Sequence, residues 1–312
     1  MEEEKLIIDV ETEEERRIDQ FLAEQMEYSR SFIQKLIKNE KVTVNGNVIT
    51  KVKYPVSFRD KIIIEIPAPK ELEIKPEKMD LDILYEDNDV IVIDKPKGMV
   101  VHPSAGHMSH TLVNGLLYHC KGNLSGINGV LRPGIVHRID MDTTGAIIAC
   151  KNDIAHQSLA KQLQVHSITR KYEAIVYHNL QEETGTIDKP IGRHPVHRKK
   201  MAVVQPEKGK RAITHYRVLS HLNHKFNYIE CQLETGRTHQ IRVHMSSIHH
   251  PIVGDEVYGP ARCPFTGLQG QTLHAQVLGF LHPRTQEYME FSAPLPEYFE
   301  DLLRKLRNTS RL

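Results

Sequence analysis

The chain has 312 residues, 41 basic and 40 acidic side chains and a net charge of +1; one core seldom grows that large, so about two domains are expected. With 39% hydrophobic and 26% charged residues, collagen-like, mucin-like and wholly disordered chains are excluded. The apolar runs Val90–Ile93 and Gly145–Cys150 are strand-sized, far short of the ~20 residues of a membrane span.

The N-terminal residues 1–15 hold eight acids and one base, net −7, and read as a mobile acidic arm. Met1–Lys5 lacks the basic start and apolar run of a secretory signal. From residue 16 to 65 the balance turns to +4. Ile18, Phe21 and Leu22, then Phe32, Ile33, Leu36 and Ile37, recur at helical spacing, with Ser29 placed to cap the second helix. Lys41–Val44 followed by Asn45-Gly46 reads as a strand running into a tight turn, and Lys61–Ile66 as another strand. Residues 67–82, punctuated by Pro67, Pro69 and Pro76, read as a linker. Beyond it, Ile83–Tyr85 and Val90–Ile93 flank Glu86–Asp89 as a hairpin; Ile154–Leu163 reads as a helix, Tyr172–Tyr177, Ile213–Leu219 and Tyr228–Leu233 as strands, and Thr238–Ile248 as a helix. Strands and helices without regular alternation imply an α+β fold. The residues from 83 onward carry +6, so the folded parts are mildly basic, which suits a phosphate-bearing partner.

Walker, GxGxxG and HExxH motifs are absent, the four cysteines are dispersed without a CxxC, and the 19 histidines show no standard ligand spacing. No metal or cofactor is expected. Two stretches concentrate reactive side chains. Arg132–Lys151 packs His137, Arg138, Asp140 and Asp142 ahead of Gly145 and a buried-looking strand; by pattern alone it reads equally as a charged turn. Leu233–Met245, as a helix, puts Ile241, Met245 and Ile248 on its apolar face and His239, Arg242 and Ser246 on a polar one, with Gly236 in the preceding turn and Thr238 as N-cap.

Residues 83–290 resemble RluA-type pseudouridine synthases. The resemblance rests on four ordered motifs: Asp94-Lys-Pro-Lys-Gly98 with Val101-His-Pro103; His137-Arg-Ile-Asp-Met-Asp-Thr-Thr-Gly145; Gly236-Arg-Thr-His-Gln-Ile-Arg-Val-His244 with His250–Asp255 and Tyr258-Gly259; and Leu273-His-Ala275. Ile139 stands for the usual Leu and Cys150 for the usual Ala. Residues 16–66 resemble the alpha-L RNA-binding domain of a small-subunit ribosomal protein through Arg17-x-Asp19, Ser29-Arg30, Lys35, Val44-Asn-Gly46 and Asp60, with Arg59 where Gly is usual.

The resemblance implies a central mixed, largely antiparallel sheet flanked by helices, preceded by a small α/β RNA-binding domain: residues 1–15 as arm, 16–66 as RNA-binding domain, 67–82 as linker and 83–312 as catalytic domain. It implies cofactor-free isomerisation of uridine to pseudouridine in structured RNA, most often large-subunit ribosomal RNA, by a cytoplasmic monomer. Asp140 becomes the essential carboxylate, Arg242 the cation that keeps it charged and oriented, and Tyr172 the ring stacked on uracil. Arg138 is implied at the gap left by the flipped base, and His137 as support for the loop. Arg17, Arg30 and Lys35 form a candidate RNA patch on the small domain, and Arg193, Arg198, Lys199, Lys200 and Lys210 a second beside the catalytic site. The competing readings are an inactive RNA-binding or ribosome-assembly factor, transfer RNA or small-subunit ribosomal RNA as the substrate, and a glycoside hydrolase pairing Asp140 with Asp142.

Overall fold

The computed structural model of the chain describes residues 4–26, 28–66, 74–104, 106–129, 132–197 and 200–308. These form two compact units, dividing at residues 72 and 73.

The first unit runs β1 (Glu4–Asp9), β2 (Arg16–Arg17), α1 (Ile18–Gln25), α2 (Arg30–Lys38), β3 (Val42–Val44), β4 (Asn47–Val48), β5 (Pro55–Val56) and β6 (Lys61–Ile66). Ser29 caps α2 by accepting the Phe32 N–H, and Ile33, Leu36 and Ile37 bury the face that the spacing announced. Four strands form a sheet in the order β1-β6-β3-β4. The expectation of a mobile arm is overturned for residues 4–9. They pair with β6 along its length, Glu4 opposite Ile66 to Asp9 opposite Lys61. Leu6 and Ile8 pack on the same core as Ile62 and Ile64, and this apolar alternation outweighs the acidic composition of the segment.

The second unit runs β7 (Asp82–Glu86), β8 (Val90–Lys95), α3 (Leu112–His119), β9 (Thr144–Cys150), α4 (Asp153–Gln164), β10 (Thr169–Tyr177), β11 (Thr184–Asp188), β12 (Ile191–Arg193), β13 (Met201–Val203), β14 (Ile213–Leu222), β15 (Phe226–Leu233), α5 (Gln240–Ser247), β16 (Leu273–Leu281), β17 (Tyr288–Ser292) and α6 (Glu297–Asn308). Its main sheet has the order β11-β14-β15-β10-β16-β9-β8-β7, with β17 also on β16. All its pairings are antiparallel except β9 with β16, which run parallel at His274–Thr144 and Ala275–Gly145. There Gly145 has φ +107°, and a Cβ would collide with the Ala275 backbone, so only glycine lets the two strands approach. Pro67 and Pro69 of the expected linker lie outside the described residues. Its second half is no linker: Ile74 is buried in the main core, and Asn114 on α3 bonds both the Lys75 carbonyl and the Glu77 N–H.

One core cluster joins Ile139, Tyr172, Ile241, Met245 and Leu273. The loop before β9 and helix α5 therefore pack on one face of the sheet at β10, and the candidate site lies among them. Among the described residues no helix is long and apolar enough to cross a membrane.

Candidate active site

A cavity of about 540 Å³ opens between these elements, lined among others by His137, Arg138, Asp140, Arg170, Tyr172, Arg237, His239 and Arg242. The backbone around Asp140 is held from three sides. Ile139 anchors the loop in the core. Thr143 N–H donates to the Asp140 carbonyl at 3.1 Å. The Met141 carbonyl accepts from Gly98 N–H at 3.0 Å and from the Lys95 ammonium at 2.9 Å. Lys95 is fully buried and also donates to the Pro96 and Met99 carbonyls. Burial pushes its pKa down to about 7, against the pull of Asp142, Asp140 and Asp94. Three carbonyl acceptors exhaust the three donors of an ammonium, so this lysine works as a rivet under the reactive loop.

Arg242 projects from α5 with its side chain 7% exposed and meets Asp140, 18% exposed, through Nη1 and Oδ2 at 2.8 Å. Its other edge is gripped by buried Asp255, Nε to Oδ2 at 2.7 Å and Nη2 to Oδ1 at 2.9 Å. Asp255 in turn accepts the Val257 and Tyr258 N–H groups, and the guanidinium carbon lies 5.2 Å from the Tyr258 ring centre. Burial disfavours the guanidinium charge, but the bonds and attraction from Asp255 and Asp140 outweigh it and hold the pKa above its ordinary value. One planar cation thus bridges two carboxylates, a geometry that lysine could not reproduce.

The N-cap of α5 differs from the expected Thr238. It is His239, at φ +55° and with no side-chain capping bond. The tight turn frees its ring to lie with Nδ1 2.8 Å from the Tyr258 hydroxyl and Nε2 3.9 Å from Asp140. Burial lowers its pKa, although Asp140 pulls upward, which favours the neutral ring. His137 accepts the Ile148 N–H at Nε2. Burial, with nearby Arg170, pushes its pKa down to about 3. It sits as a neutral ring between the loop and β9. Tyr172 is buried on β10; burial raises its hydroxyl pKa, Arg170 opposes this and Asp140 adds to it. Its phenol stays protonated at neutral pH and is a poor base.

Asp140, Arg242, Tyr172, His137 and Arg138 therefore share one cavity, with Arg138 exposed at its wall. Arg193 and Lys210 are exposed on and beside the β12–β13 ribbon, which packs through Ile191, Met201 and Val203 against Val243 of α5 and Tyr258. Lys200 is half-buried, and its ammonium donates to the Val257 carbonyl at 2.7 Å. Arg198 and Lys199 lie outside the described residues. In the first unit, Arg17 and Arg30 turn onto buried Asp19, while Lys35 stays exposed on α2. The expected patch there keeps one exposed lysine beside two arginines already committed to an internal carboxylate.

Sequence reasoning passed over Asp255, Tyr258, Lys95 and Arg170. The first three stood inside quoted motifs without a role. Arg170 had a signal of its own, since strand alternation puts it on the same face as Tyr172. A group with metal-ligand spacing, Asp87, Asp89 and His282, is already internally paired: His282 bonds Asp87, and Arg284 grips both oxygens of Asp89.

The sequence profile described as RNA pseudouridylate synthase matches residues 89–247, and that of the S4 domain residues 16–62. The uncharacterized RNA pseudouridine synthase YlyB of Bacillus subtilis is 51% identical over 304 residues, covering 96% of this chain and 98% of its own. Ribosomal large subunit pseudouridine synthase D of Zymomonas mobilis is 44% identical over 305 residues, covering 95% of each chain. Among solved structures, human RNA pseudouridylate synthase domain containing 1 superposes with a TM-score of 0.55 at 26% identity, over 77% of this chain and 98% of that one.

Proposed function

From the premise that the chain belongs to the RNA pseudouridylate synthase family, with an S4 domain at its N-terminal end, we propose that it converts uridines of large-subunit ribosomal RNA to pseudouridine. Asp140 is the essential carboxylate of this reading, and the enzyme works as a cytoplasmic monomer. The observation that carries the chemistry is the Asp140–Arg242 pair in a cavity lined by Tyr172. Arg242 donates to Asp140 at 2.8 Å and fixes the direction in which its carboxylate points, and a nucleophile or base must be aimed at the atom it attacks. A cavity of about 540 Å³ accepts one base, which has to leave its stack to enter.

In this reading the C1′–N1 bond breaks, the uracil turns, C5 bonds to C1′, and the C5 proton leaves while N1 gains one. Tyr172 stacks on the base, and Arg138 at the cavity wall meets the strand from which it came. The exposed cations Arg193 and Lys210, and Lys35 of the S4 domain, contact backbone phosphates. Two tethered RNA-binding units raise the effective concentration of each for the other. The choice of ribosomal RNA follows the name of the Zymomonas mobilis relative.

The test is pseudouridine mapping of total RNA from cells lacking the protein, from wild type, and from cells rescued with Asp140→Asn. Sites absent from both the deletion and the Asp140→Asn cells, and located in large-subunit ribosomal RNA, are expected. Sites lost only from transfer or small-subunit RNA would replace the substrate. A growth defect cured by Asp140→Asn, with every site intact, would leave the protein an RNA-binding factor.

A further inference from the structure

The cavity holds a second buried arginine that the reading above does not use. Arg170 precedes Tyr172 by two positions on β10 and shares its face, both residues lining the cavity and both less than 10% exposed. Arg242, equally buried, is matched by two carboxylates. Arg170 is matched by none among the described residues. Its Nη2 donates to the Glu234 backbone carbonyl at 3.1 Å, and its Nε is buried without a partner. Gly236 leaves room for the guanidinium, since a Cβ there would lie 2.6 Å from Nη1. Burial and the neighbouring cation Arg237 both disfavour its charge, with Tyr172 opposing. A buried cation without a counter-ion is a standing cost to the empty protein, and an anion bound in the cavity would remove that cost.

Resting on the function proposed above, we infer that Arg170 is the binding site for an oxyanion that the bound RNA presents inside the cavity, namely O2 or O4 of the uracil after the C1′–N1 bond has broken. When that bond breaks, its electron pair departs with the base, and the negative charge spreads from N1 onto O2 and O4. When C5 later bonds to C1′, the ring returns the pair, C5 gives up its proton and N1 takes one, so nothing is oxidised or reduced. The adjacent Tyr172 places the base plane beside Arg170, which favours the base over the other source of an oxyanion, a backbone phosphate. A preorganised donor aimed at charge that develops during reaction acts on kcat rather than on binding.

The test compares wild type with Arg170→Met and Arg170→Lys in single-turnover conversion of a ribosomal RNA fragment, together with the RNA Kd and the melting temperature of the free proteins. Arg170→Met is expected to lower the rate by about 10²–10³-fold, the range for losing one oxyanion donor, with Kd within about threefold and a melting temperature equal to or above wild type. Arg170→Lys is expected to lie between. With 5-fluorouridine at the target, whose departing base is a more stable anion, the deficit in substrate consumption shrinks. A Kd weakened about tenfold at an unchanged rate, with no fluorine effect, keeps the anion site but assigns it to phosphate. Unchanged rate and Kd overturn the inference, as does a rate loss accompanied by a lower melting temperature, which marks Arg170 as structural. If wild type itself makes no pseudouridine, the proposed function fails; the Kd of Arg170→Met then decides the anion site alone, a tenfold loss supporting it and no change refuting it.

Discussion

Asp255 is the sharpest place to perturb the site, because it touches Arg242 and lies one residue removed from Asp140. In Asp255→Asn, the oxygen retained at the Oδ1 position still accepts from Arg242 Nη2, Val257 N–H and Tyr258 N–H. The new amide nitrogen then faces Arg242 Nε, which now sits 2.7 Å from Oδ2, and donor meets donor. One charge-assisted hydrogen bond is lost, about 1.5–3 kcal/mol. If that loss falls wholly on the orientation of Asp140 in the transition state, the rate drops about 10- to 150-fold. Arg242 keeps Asp140 as its counter-ion, so the accompanying stability loss stays below the ~3–5 kcal/mol of a fully uncompensated buried charge. The rate is read as tritium released from C5 of RNA labelled with [5-³H]uridine, well below the melting transition and normalised to the folded fraction. KM is expected to hold while kcat falls, and Asp255→Asn is expected to add little to Arg242→Lys, since both act through one guanidinium. A normalised kcat within twofold of wild type, or fully additive losses, would refute the positioning argument.

Three further outcomes are expected. Asp140→Asn abolishes tritium release while leaving the melting curve and RNA affinity near wild type; appreciable turnover would remove Asp140 from the centre of the chemistry. Lys95→Met removes three hydrogen bonds to carbonyls, of which, among the described residues, the Met141 carbonyl alone keeps another donor in Gly98 N–H; at about 1 kcal/mol each, and about 2–4 °C per kcal/mol, the melting temperature of the second unit falls by roughly 6–12 °C, and an unchanged melt would contradict the rivet. For Asp19, burial raises the pKa but bonds from Gln34, Arg30 and Arg17 outweigh it and leave the carboxyl below its usual range. Its contribution to stability is present above the unfolded carboxylate pKa of ~3.9 and is lost as pH falls through the lower folded value. The amide protection factors of the first unit, observed rates corrected for the intrinsic pH dependence of exchange, should therefore fall on acidification, with a weaker fall in Asp19→Asn; identical profiles would count against it.

Local pattern carried much of this structure. The Ser29 cap, the hairpin around Glu86–Asp89, helix α4 and the strands β10, β14 and β15 follow from periodicity and turn chemistry that each segment holds within itself, whereas the cap of α5 fell on His239 and not on Thr238. The segment Glu4–Asp9 misled because charge composition was weighed above the alternation of Leu6 and Ile8, and that alternation acquires a meaning only when β6 supplies a partner. Residues 74–81 misled for a related reason: proline and charge disfavour regular structure, yet irregular chain can still bury Ile74 and bond α3.

The site divides in the same way. The resemblance singled out Asp140, Arg242 and Tyr172 as candidates, since residue type and order are written in the chain. Their convergence is a tertiary fact, because 102 positions separate Asp140 from Arg242 and only the shared core of Ile139, Tyr172 and Ile241 brings their backbones together. Which cation pairs with which anion is also decided in three dimensions. Arg242 is shared between Asp140 and Asp255, Lys200 is spent on a carbonyl, Arg17 and Arg30 close on Asp19, and Arg170 has no counter-ion among the described residues. Sequence alone provided the family resemblance, many of the elements and the reactive residue types. Burial decided how much each charge costs and distance decided what offsets it, and both arise only when segments far apart in the chain pack against one another.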